Sequence, residues 1–281
     1  MNYRHAFHAG NFADVMKHAL LARILAYLRG KEAPFRVIDT HAGIGLYDLS
    51  ADEATRTGEW RDGIGRLAEP FAPEVEDVLA PYRSVLAEVR ERYGALAYPG
   101  SPAILREMLR RQDQGILVEL HKADVAVLAE RYQAVPNLKV LHLDGWTALH
   151  AMIPPKERRG LVLIDPPFEE TGELDRLVQE IKTATAKWPT GVYAGWYPVK
   201  ALSEIDRAAA AFADLSRPGL RLELFVDRPD DPARLNGCGL FVVNPPWTLQ
   251  ADAELLLPAL AERLARGSYA GYRCEHIGAK R

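Results

Sequence analysis

The sequence predicts an α/β fold: a mostly parallel seven-stranded sheet with an antiparallel pair of strands at its edge. Three observations support it. Short apolar runs alternate with segments of helical spacing, which is typical of βα units. Glycine or acidic residues follow four of these runs. Only a loop separates the last two runs, which favours antiparallel pairing.

Composition limits the class of protein. The chain has 281 residues, 48% of them hydrophobic, and a net charge of −3, so residues 1–281 are expected to form a single domain with a sizeable core. No apolar run approaches the length of a membrane span, and the amino terminus lacks a secretory signal. Two cysteines without CxxC spacing favour a reduced compartment. We therefore expect a cytoplasmic monomer that does not bind membranes.

The first third of the chain combines the start of the sheet with an insertion. Residues 12–29 have helical spacing and end at Gly30, and residues 35–39 form a short strand that runs into a glycine-rich turn. Residues 49–98 are rich in Ala, Glu and Arg, show no convincing strand, and include a helix over 74–93. We predict a helical insertion there. A helix over 103–111 follows, and Ser101 is a candidate cap for it.

Strands and helices alternate over the rest of the chain. The predicted strands are 115–120, 138–143, 161–165, 191–196, 220–226 and 239–244. The predicted helices are 122–134, 146–152, 172–187, 200–214 and 251–265. Alternating βα units imply parallel strands with helices on both faces, so the carboxyl ends of the parallel strands should share one edge.

The tetrapeptide Asp165-Pro166-Pro167-Phe168 stands at the carboxyl end of a central apolar strand. The carboxylate can accept one hydrogen of an exocyclic nucleobase amine, and the backbone carbonyl beside Pro166 can accept the other because proline restricts the local backbone. The Phe168 ring offers a face on which a base can stack. These residues indicate methylation of an aromatic amine.

Other strand ends carry residues suited to a nucleoside cofactor. Gly43 lies in a turn where two glycines, two residues apart, allow close backbone approach. Glu119 suits the two hydroxyls of a ribose, and Asp144, followed by Gly145, suits an adenine amino group. A full GxGxxG is absent, which disfavours a dinucleotide site. This order of residues is typical of a Rossmann-like class I S-adenosylmethionine-dependent methyltransferase.

Several segments make a resemblance more specific. They are 3–18 (YRHAFHAGNFADVMKH), 39–43 (DTHAG), 98–102 (YPGSP), 165–168 (DPPF), 196–198 (WYP) and 244–247 (NPPW). The chain resembles the RlmJ family of bacterial methyltransferases, which methylate N6 of one adenine in 23S ribosomal RNA. The resemblance covers essentially the whole chain. The family more often has tyrosine at the position of Phe168, a change that preserves stacking.

The resemblance implies a cofactor, a partner and site residues. S-adenosylmethionine is expected as the cofactor, with S-adenosylhomocysteine as the product, and 23S rRNA, naked or in an early assembly particle, as the partner. Asp165 is the expected catalytic acceptor, and Tyr3 is expected to contact the RNA. Lys17 is expected to steer the methionine carboxylate of the cofactor. The other expected cofactor contacts are His18, His41, Ser101, Glu119, Asp144 and Gly145.

Two features of the sequence allow a competing site. Asn244-Pro245-Pro246-Trp247 also fits an amine-methylating tetrapeptide, but Asn244 ends an antiparallel strand and should lie at the opposite edge of the sheet, so Asp165 is preferred. The four histidines at positions 5, 8, 18 and 41 could suggest a metal cluster, but no cysteine or carboxylate completes a convincing ligand set. We predict no metal.

Other functions are also compatible with the tetrapeptide or with the strand-end residues. A DNA adenine-N6 methyltransferase would carry the same tetrapeptide, but the chain lacks a separate large recognition domain. A non-catalytic RNA-binding protein with a methyltransferase fold is disfavoured by the acids at Glu119, Asp144 and Asp165. Methylation of a glutamine amide would favour asparagine at the first position of the tetrapeptide. Trp196 and Tyr197 could either pack in the core or flank the target base.

Overall fold

The computed structural model describes residues 4–229 and 234–279. The strands of the main sheet are β1 (Arg36–Asp39), β4 (Gln114–Glu119), β5 (Leu138–His142), β6 (Gly160–Ile164), β7 (Val192–Pro198), β8 (Pro218–Phe225), β9 (Gly237–Val243) and β10 (Gly271–Gly278). A separate antiparallel pair is formed by β2 (Leu46–Asp48) and β3 (Ala97–Pro99).

Helices fill the connections between these strands. They are α1 (Phe12–Arg29), α2 (Asp52–Thr57), α3 (Pro73–Tyr93), α4 (Ser101–Met108), α5 (Lys122–Tyr132), α6 (Gly145–Met152), α7 (Glu173–Lys187), α8 (Leu202–Ala210) and α9 (Leu249–Leu264). Short 3-10 helices cover His5–Phe7, Glu59–Asp62 and Ile64–Leu67. Among the described residues, no helix is both long enough and apolar enough to cross a membrane.

The order of strands in the main sheet is β10-β8-β9-β7-β6-β1-β4-β5. The five strands from β7 to β5 are parallel, and β9 runs antiparallel to both of its neighbours. The predicted α/β fold with a mostly parallel sheet is therefore confirmed. Because parallel strands end at one edge, the polar residues that follow β1, β4, β5 and β6 are brought together there.

The sheet has two faces, each with its own core. Successive residues of a strand point to opposite faces, so Val37 packs in one core and Ile38 in the other. Helices α1, α3, α4 and α9 cover the first face, and α6, α7 and α8 cover the second. Both faces of the central strands are buried, which explains why their sequences are continuous apolar runs.

The edge of the sheet differs from the prediction. The antiparallel pairing of β8 with β9 is confirmed, but the sheet has eight strands in the described chain because β10 pairs with β8, with Cys274 opposite Leu222. The pair is therefore not at the edge. Residues 271–278 are mostly polar and partly exposed, with Tyr272 at 46% exposure. An edge strand with little buried surface lacks the apolar alternation that identifies strands in a sequence.

The insertion is joined to the sheet by the small β2–β3 pair. The glycine-rich turn leads into β2, which pairs with β3 so that Tyr47 lies opposite Tyr98. The pairing brings the two ends of residues 49–98 together. The sequence showed neither strand because each has only three residues. Helix α3 packs against α1, α4 and α9 through a stripe that includes Leu79, Tyr82 and Leu86.

A buried charge network links β7, β8 and β10. The Arg221 and Glu223 side chains are only 3% and 0% exposed, with Arg221 Nε 2.8 Å from Glu223 Oε1. The Tyr197 hydroxyl donates to the same oxygen at 3.0 Å, and Arg273 Nη1 lies 3.2 Å from Glu223 Oε2. Buried charges are tolerated only when paired, so this network fixes the relative positions of three strands.

Replacing Arg221 with methionine should destabilise the protein by about 3 kcal/mol, because it removes a partner from the buried Glu223 carboxylate. Chemical unfolding monitored by circular dichroism measures this change. The matched control is Arg207→Met, which breaks an ion pair whose side chains are 65% and 64% exposed and should cost less than about 1 kcal/mol. Equal losses for the two variants would contradict the importance of the buried network.

Candidate active site

A cavity of about 570 Å³ opens at the carboxyl edge of the parallel strands. It is lined by residues that follow β1, β4, β5, β6 and β7 and by the amino-terminal half of α1. The cavity contains every candidate site residue within the described part of the chain: Lys17, His18, His41, Gly43, Ser101, Glu119, Asp144, Gly145, Asp165, Pro166 and Phe168. The remaining candidate, Tyr3, lies outside the described residues.

Asp165 follows β6 and is held by a lysine from α1. Its Oδ2 atom accepts a hydrogen bond from Lys17 Nζ at 2.6 Å. The Lys17 side chain is only 5% exposed and lies 5.8 Å from the centre of the Trp196 ring. The described residues supply no donor to Asp165 Oδ1. One oxygen is thus fixed by the lysine, and the other can accept a hydrogen bond from a ligand in the cavity.

Asp14 is the centre of a second set of contacts, and sequence reasoning missed it. Its Oδ1 lies 3.0 Å from Lys17 Nζ, and its Oδ2 accepts from the Gly10 amide and lies near His5 Nε2, both at 2.9 Å. Burial raises the pKa of Asp14, but the charges of His5 and Lys17 and the hydrogen bond from His5 outweigh it and hold that pKa well below its ordinary value. Polar residues spaced three and four apart in an apolar helix were the available signal.

His18 is buried and neutral at physiological pH. Burial lowers its pKa from 6.5 to about 3. Its Nδ1 lies 2.9 Å from the Tyr98 hydroxyl, which in turn lies 3.0 Å from the Tyr82 hydroxyl. The ring therefore connects the cavity to the insertion through a chain of hydrogen bonds, and Lys17 remains the buried cation of this helix face.

Two aromatic rings form the wall beside Asp165. The Phe168 ring stands edge-on to Trp196, with the centroids 5.8 Å apart, and its backbone has a φ of 51°. This left-handed conformation is strained for a non-glycine residue and is found where the surrounding structure requires it. Tyr197 points to the opposite face, where its hydroxyl bonds to Glu223. Trp196 therefore lines the cavity, whereas Tyr197 packs in the core.

Glu119 and Gly43 form a fixed pair at the ends of β4 and β1. Glu119 Oε2 accepts from the Gly43 amide at 2.8 Å, and Oε1 accepts from the His121 amide at 2.7 Å. Burial raises the pKa of Glu119. Gly43 has a φ of +62°, and a Cβ atom there would lie 2.6 Å from the Tyr47 hydroxyl. The turn therefore requires glycine, and the acid is held with both oxygens oriented.

The turn after β5 approaches the turn after β1 closely. Asp144 caps α6, since its Oδ1 accepts from the amide and the hydroxyl of Thr147 at 2.8 and 2.9 Å. At Gly145, a Cβ atom would lie 2.4 Å from the Thr40 carbonyl and 2.7 Å from the His41 ring. Only glycine fits at this contact. Sequence reasoning identified the glycine but not the neighbour that requires it.

Two further residues complete this part of the cavity and were not predicted. The Trp146 ring lies 5.6 Å from His41, and the Arg176 guanidinium lies 4.7 Å from the centre of the Trp146 ring. Burial lowers the pKa of His41 to about 4, so its ring is neutral. Arg176 comes from α7, on another part of the chain, and no sequence pattern pairs it with Trp146.

Ser101 does not cap α4 as predicted. Gly100 occupies the cap position, α4 begins at Ser101, and the serine side chain makes no capping bond. The serine side chain instead lies near Asp39, which ends β1 and is fully buried, and whose Oδ2 atom receives no hydrogen bond from the described residues. Burial raises the pKa of Asp39 to about 7, and the nearby Ser101 hydroxyl opposes that shift. Asp39 was visible in the sequence as the acid that ends the first strand.

Asn244 lies away from the cavity, as its strand direction predicted. Strand β9 runs antiparallel to β7, so Asn244 is near the start of β7. Its side-chain amide donates to the carbonyls of Pro189 and Gly191 at 3.0 and 2.8 Å. The second tetrapeptide is thus a structural turn. Within residues 4–229 and 234–279, no group of three or more potential ligands is arranged to bind a metal ion.

Comparisons with known proteins give consistent matches. A family model described as "Ribosomal RNA large subunit methyltransferase D, RlmJ" matches residues 32–277. A protein named ribosomal RNA large subunit methyltransferase J from Haemophilus influenzae is 39% identical over 284 residues, covering 99% of each chain. Its namesake from Escherichia coli is 39% identical over 268 residues, covering 94% of each. A crystal structure of a Legionella pneumophila protein superposes with a TM-score of 0.85 at 34% identity, covering 97% of this chain and 99% of that one.

The two neutral histidines should not titrate near physiological pH. In the folded protein, the His18 and His41 ring signals should stay constant from pH 8 to pH 5, because burial lowers their pKa values to about 3 and about 4. Unfolded histidines bind a proton below about pH 6.5. The stability that these residues contribute is therefore lost as the pH falls from about 6.5 toward 4 and 3.

Nuclear magnetic resonance of ring protons measures these titrations, with His18→Gln and His41→Gln used for assignment. His8 provides an internal control, because its hydrogen bond to Glu59 raises its pKa above 6.5. A midpoint between pH 5 and 7 for either buried ring would show that the ring is not held neutral by burial.

Proposed function

The chain belongs to the RlmJ family of ribosomal RNA large subunit methyltransferases, and we propose that it methylates N6 of one adenine in 23S ribosomal RNA. One observation carries the proposal. The residues after β6, with Asp165 and Phe168, share one cavity with Glu119 and Asp144. An acceptor for an amine and acceptors for a nucleoside therefore face the same space. We expect this activity in the cytoplasm.

The residues of the cavity fit S-adenosylmethionine, which supplies an electrophilic methyl group when bound. Glu119 is oriented to accept hydrogen bonds from ribose hydroxyls, and Asp144 to accept one from an adenine amino group. The turns at Gly43 and Gly145 have no room for a Cβ atom because neighbouring protein groups pack against them, so the backbone that lines the cavity is held in place. His41, Ser101 and the remaining predicted contacts would complete the binding surface.

Asp165 would act on the amine of the target base. The N6 lone pair is delocalised into the ring, so the amine is a weak nucleophile. Hydrogen bonds from the amine to Asp165 Oδ1 and to the backbone carbonyl beside Pro166 would favour a tetrahedral nitrogen. The carboxylate also offsets the positive charge that develops on nitrogen. Both effects are stronger in the transition state than in the ground state, as acceleration requires.

Lys17 would position the catalytic carboxylate. Its ammonium group holds Asp165 Oδ2 at 2.6 Å and is itself held by Asp14 at 3.0 Å. The carboxylate cannot rotate freely, so Oδ1 stays directed toward the amine. Positioning of this kind reduces the entropy lost on reaching the transition state. This role differs from the contact with the methionine carboxylate expected from the resemblance.

The aromatic wall suits an adenine that has left its stack. Phe168 and Trp196 line the cavity beside Asp165 and offer surfaces on which a base can stack. Enzymes that modify a base take it out of the stack, so the substrate should be single-stranded or flipped at the target position. Stacking needs only the ring, and phenylalanine serves for it as well as tyrosine.

Replacing Asp165 with alanine should lower methyl transfer by at least about 1,000-fold while cofactor affinity stays within about threefold, because the carboxylate acts on the amine. The assay uses labelled S-adenosylmethionine with 23S rRNA that lacks its native methylations, followed by digestion to nucleosides. Deproteinised rRNA, an early assembly particle and duplex DNA are tested in parallel.

Asn244→Ala is the matched control, since this residue begins the second tetrapeptide at the other edge of the sheet. It should retain wild-type transfer at 25 °C. Activity in Asp165→Ala with loss in Asn244→Ala would reverse the site assignment. Label in DNA but in neither RNA substrate would favour the DNA methyltransferase alternative.

Glu119→Gln should weaken cofactor binding by about 10-fold, the effect of losing a hydrogen bond to a charged acceptor. Isothermal titration calorimetry with S-adenosylhomocysteine measures this affinity. Glu130→Gln, an exposed change on α5, should leave it unchanged. Equal affinities for the wild type and Glu119→Gln would place the ribose elsewhere in the cavity.

A further inference from the structure

The order of the strands divides the cavity into two halves. Residues that follow β1, β4 and β5, including Gly43, Glu119 and Asp144, lie on one side of β6 in the sheet. Residues beside β7 and β9 lie on the other side of β6. Asp165 directly follows β6 and is therefore at the boundary between the two halves. When the cofactor occupies the half formed by the residues after β1, β4 and β5 (the cofactor half), the half beside β7 and β9 remains for the substrate (the substrate half).

Two cations line the substrate half at its rim. Lys200 follows β7 and Arg234 precedes β9, and both contribute to the cavity wall. Lys200 is exposed, and no described carboxylate lies within ion-pair distance of its ammonium group. Its surroundings contrast with those of Lys17, which is buried and held between Asp14 and Asp165.

Charges around the cavity are segregated by loop. The loop after β6 carries Glu169 and Glu170, and Glu173 begins α7; all three line the cavity. The loops beside β7 and β9 carry Lys200 and Arg234. The carboxylates after β6 repel a polyanion, so the side of the cavity that carries Lys200 is the more favourable one for its backbone.

On the basis of the proposed function, we propose that Lys200, with Arg234 on the same side of the cavity, binds the RNA phosphates that flank the target adenosine. A base inserted between Phe168 and Asp165 remains joined to its phosphates through the ribose, so those phosphates stay at the cavity rim. Lys200 is a positioning residue in this scheme, because it contacts the backbone and not the reacting atoms. Contacts to phosphate set the register of a protein on its nucleic acid without selecting sequence.

The test measures how methylation of 23S rRNA depends on salt for the wild type, Lys200→Ala and Lys200→Glu. Lys200→Ala should raise the KM for RNA about fivefold, leave kcat within about twofold, and reduce the salt slope of kcat/KM by about 0.7 to 1. Lys200→Glu should raise KM further. Adding Arg234→Ala to Lys200→Ala should reduce the slope further.

Two controls separate this contact from changes in folding or general charge. Lys200→Arg keeps the cation and should retain the wild-type slope. Lys31→Ala removes an exposed lysine between α1 and β1, outside the residues that line the cavity, and should change neither KM nor slope. All variants should bind S-adenosylhomocysteine as the wild type does, since Lys200 lies outside the cofactor half.

Other results would overturn the proposal in distinguishable ways. If the wild type methylates rRNA but Lys200→Ala and Lys200→Glu keep its KM and salt slope, the phosphate contact is wrong and the proposed function stands. A fall in kcat at unchanged KM would replace the positioning role with a catalytic one. If the wild type transfers no methyl group to RNA, the proposed function fails, and the phosphate contact fails with it.

Discussion

The ion pair between Lys17 and Asp165 is the contact on which the rest of the site depends. It joins α1, near the start of the chain, to the end of β6, 148 residues later. A buried ammonium group is costly unless it is paired and hydrogen-bonded. Lys17 meets this requirement with two carboxylates, those of Asp14 and Asp165. The position of Asp165, the proposed catalytic residue, is therefore coupled to the packing of a helix far away in sequence.

Helix α1 can supply that lysine because it is almost entirely buried. Asn11 caps it by accepting from the amides of Ala13 and Asp14, and the helix then packs against α3, α4 and α9. Most of its surface is apolar, so its few polar side chains must find partners inside the protein. These partners include Asp165 at the sheet and Tyr98 at the insertion. The helix thus connects the cavity wall, the sheet and the residues 49–98 in one packed unit.

Burial also sets the charge states of the cavity. His18 and His41 are neutral because burial lowers their pKa values. Lys17, by contrast, is paired with the carboxylates of Asp14 and Asp165. A methyl transfer that places positive charge on nitrogen is served by carboxylates near the amine and by few competing cations. The neutral histidines and the exposed position of Lys200 are consistent with that requirement. Cations are kept either paired, as Lys17 is, or at the rim.

The sequence alone determined the fold class, the order of the central elements and the strand-end residues Gly43, Glu119, Asp144 and Asp165. Buried parallel strands must be apolar, so they can be found from the local sequence. The carboxyl ends of parallel strands share one edge, so the topology places the strand-end residues together. Only the tertiary structure revealed β10, the contacts of Asp14, and the pairing of Lys17 with Asp165. An exposed edge strand leaves little apolar pattern, and side-chain contacts between distant elements depend on packing. Periodicity along one segment contains no information about which distant residue will face it.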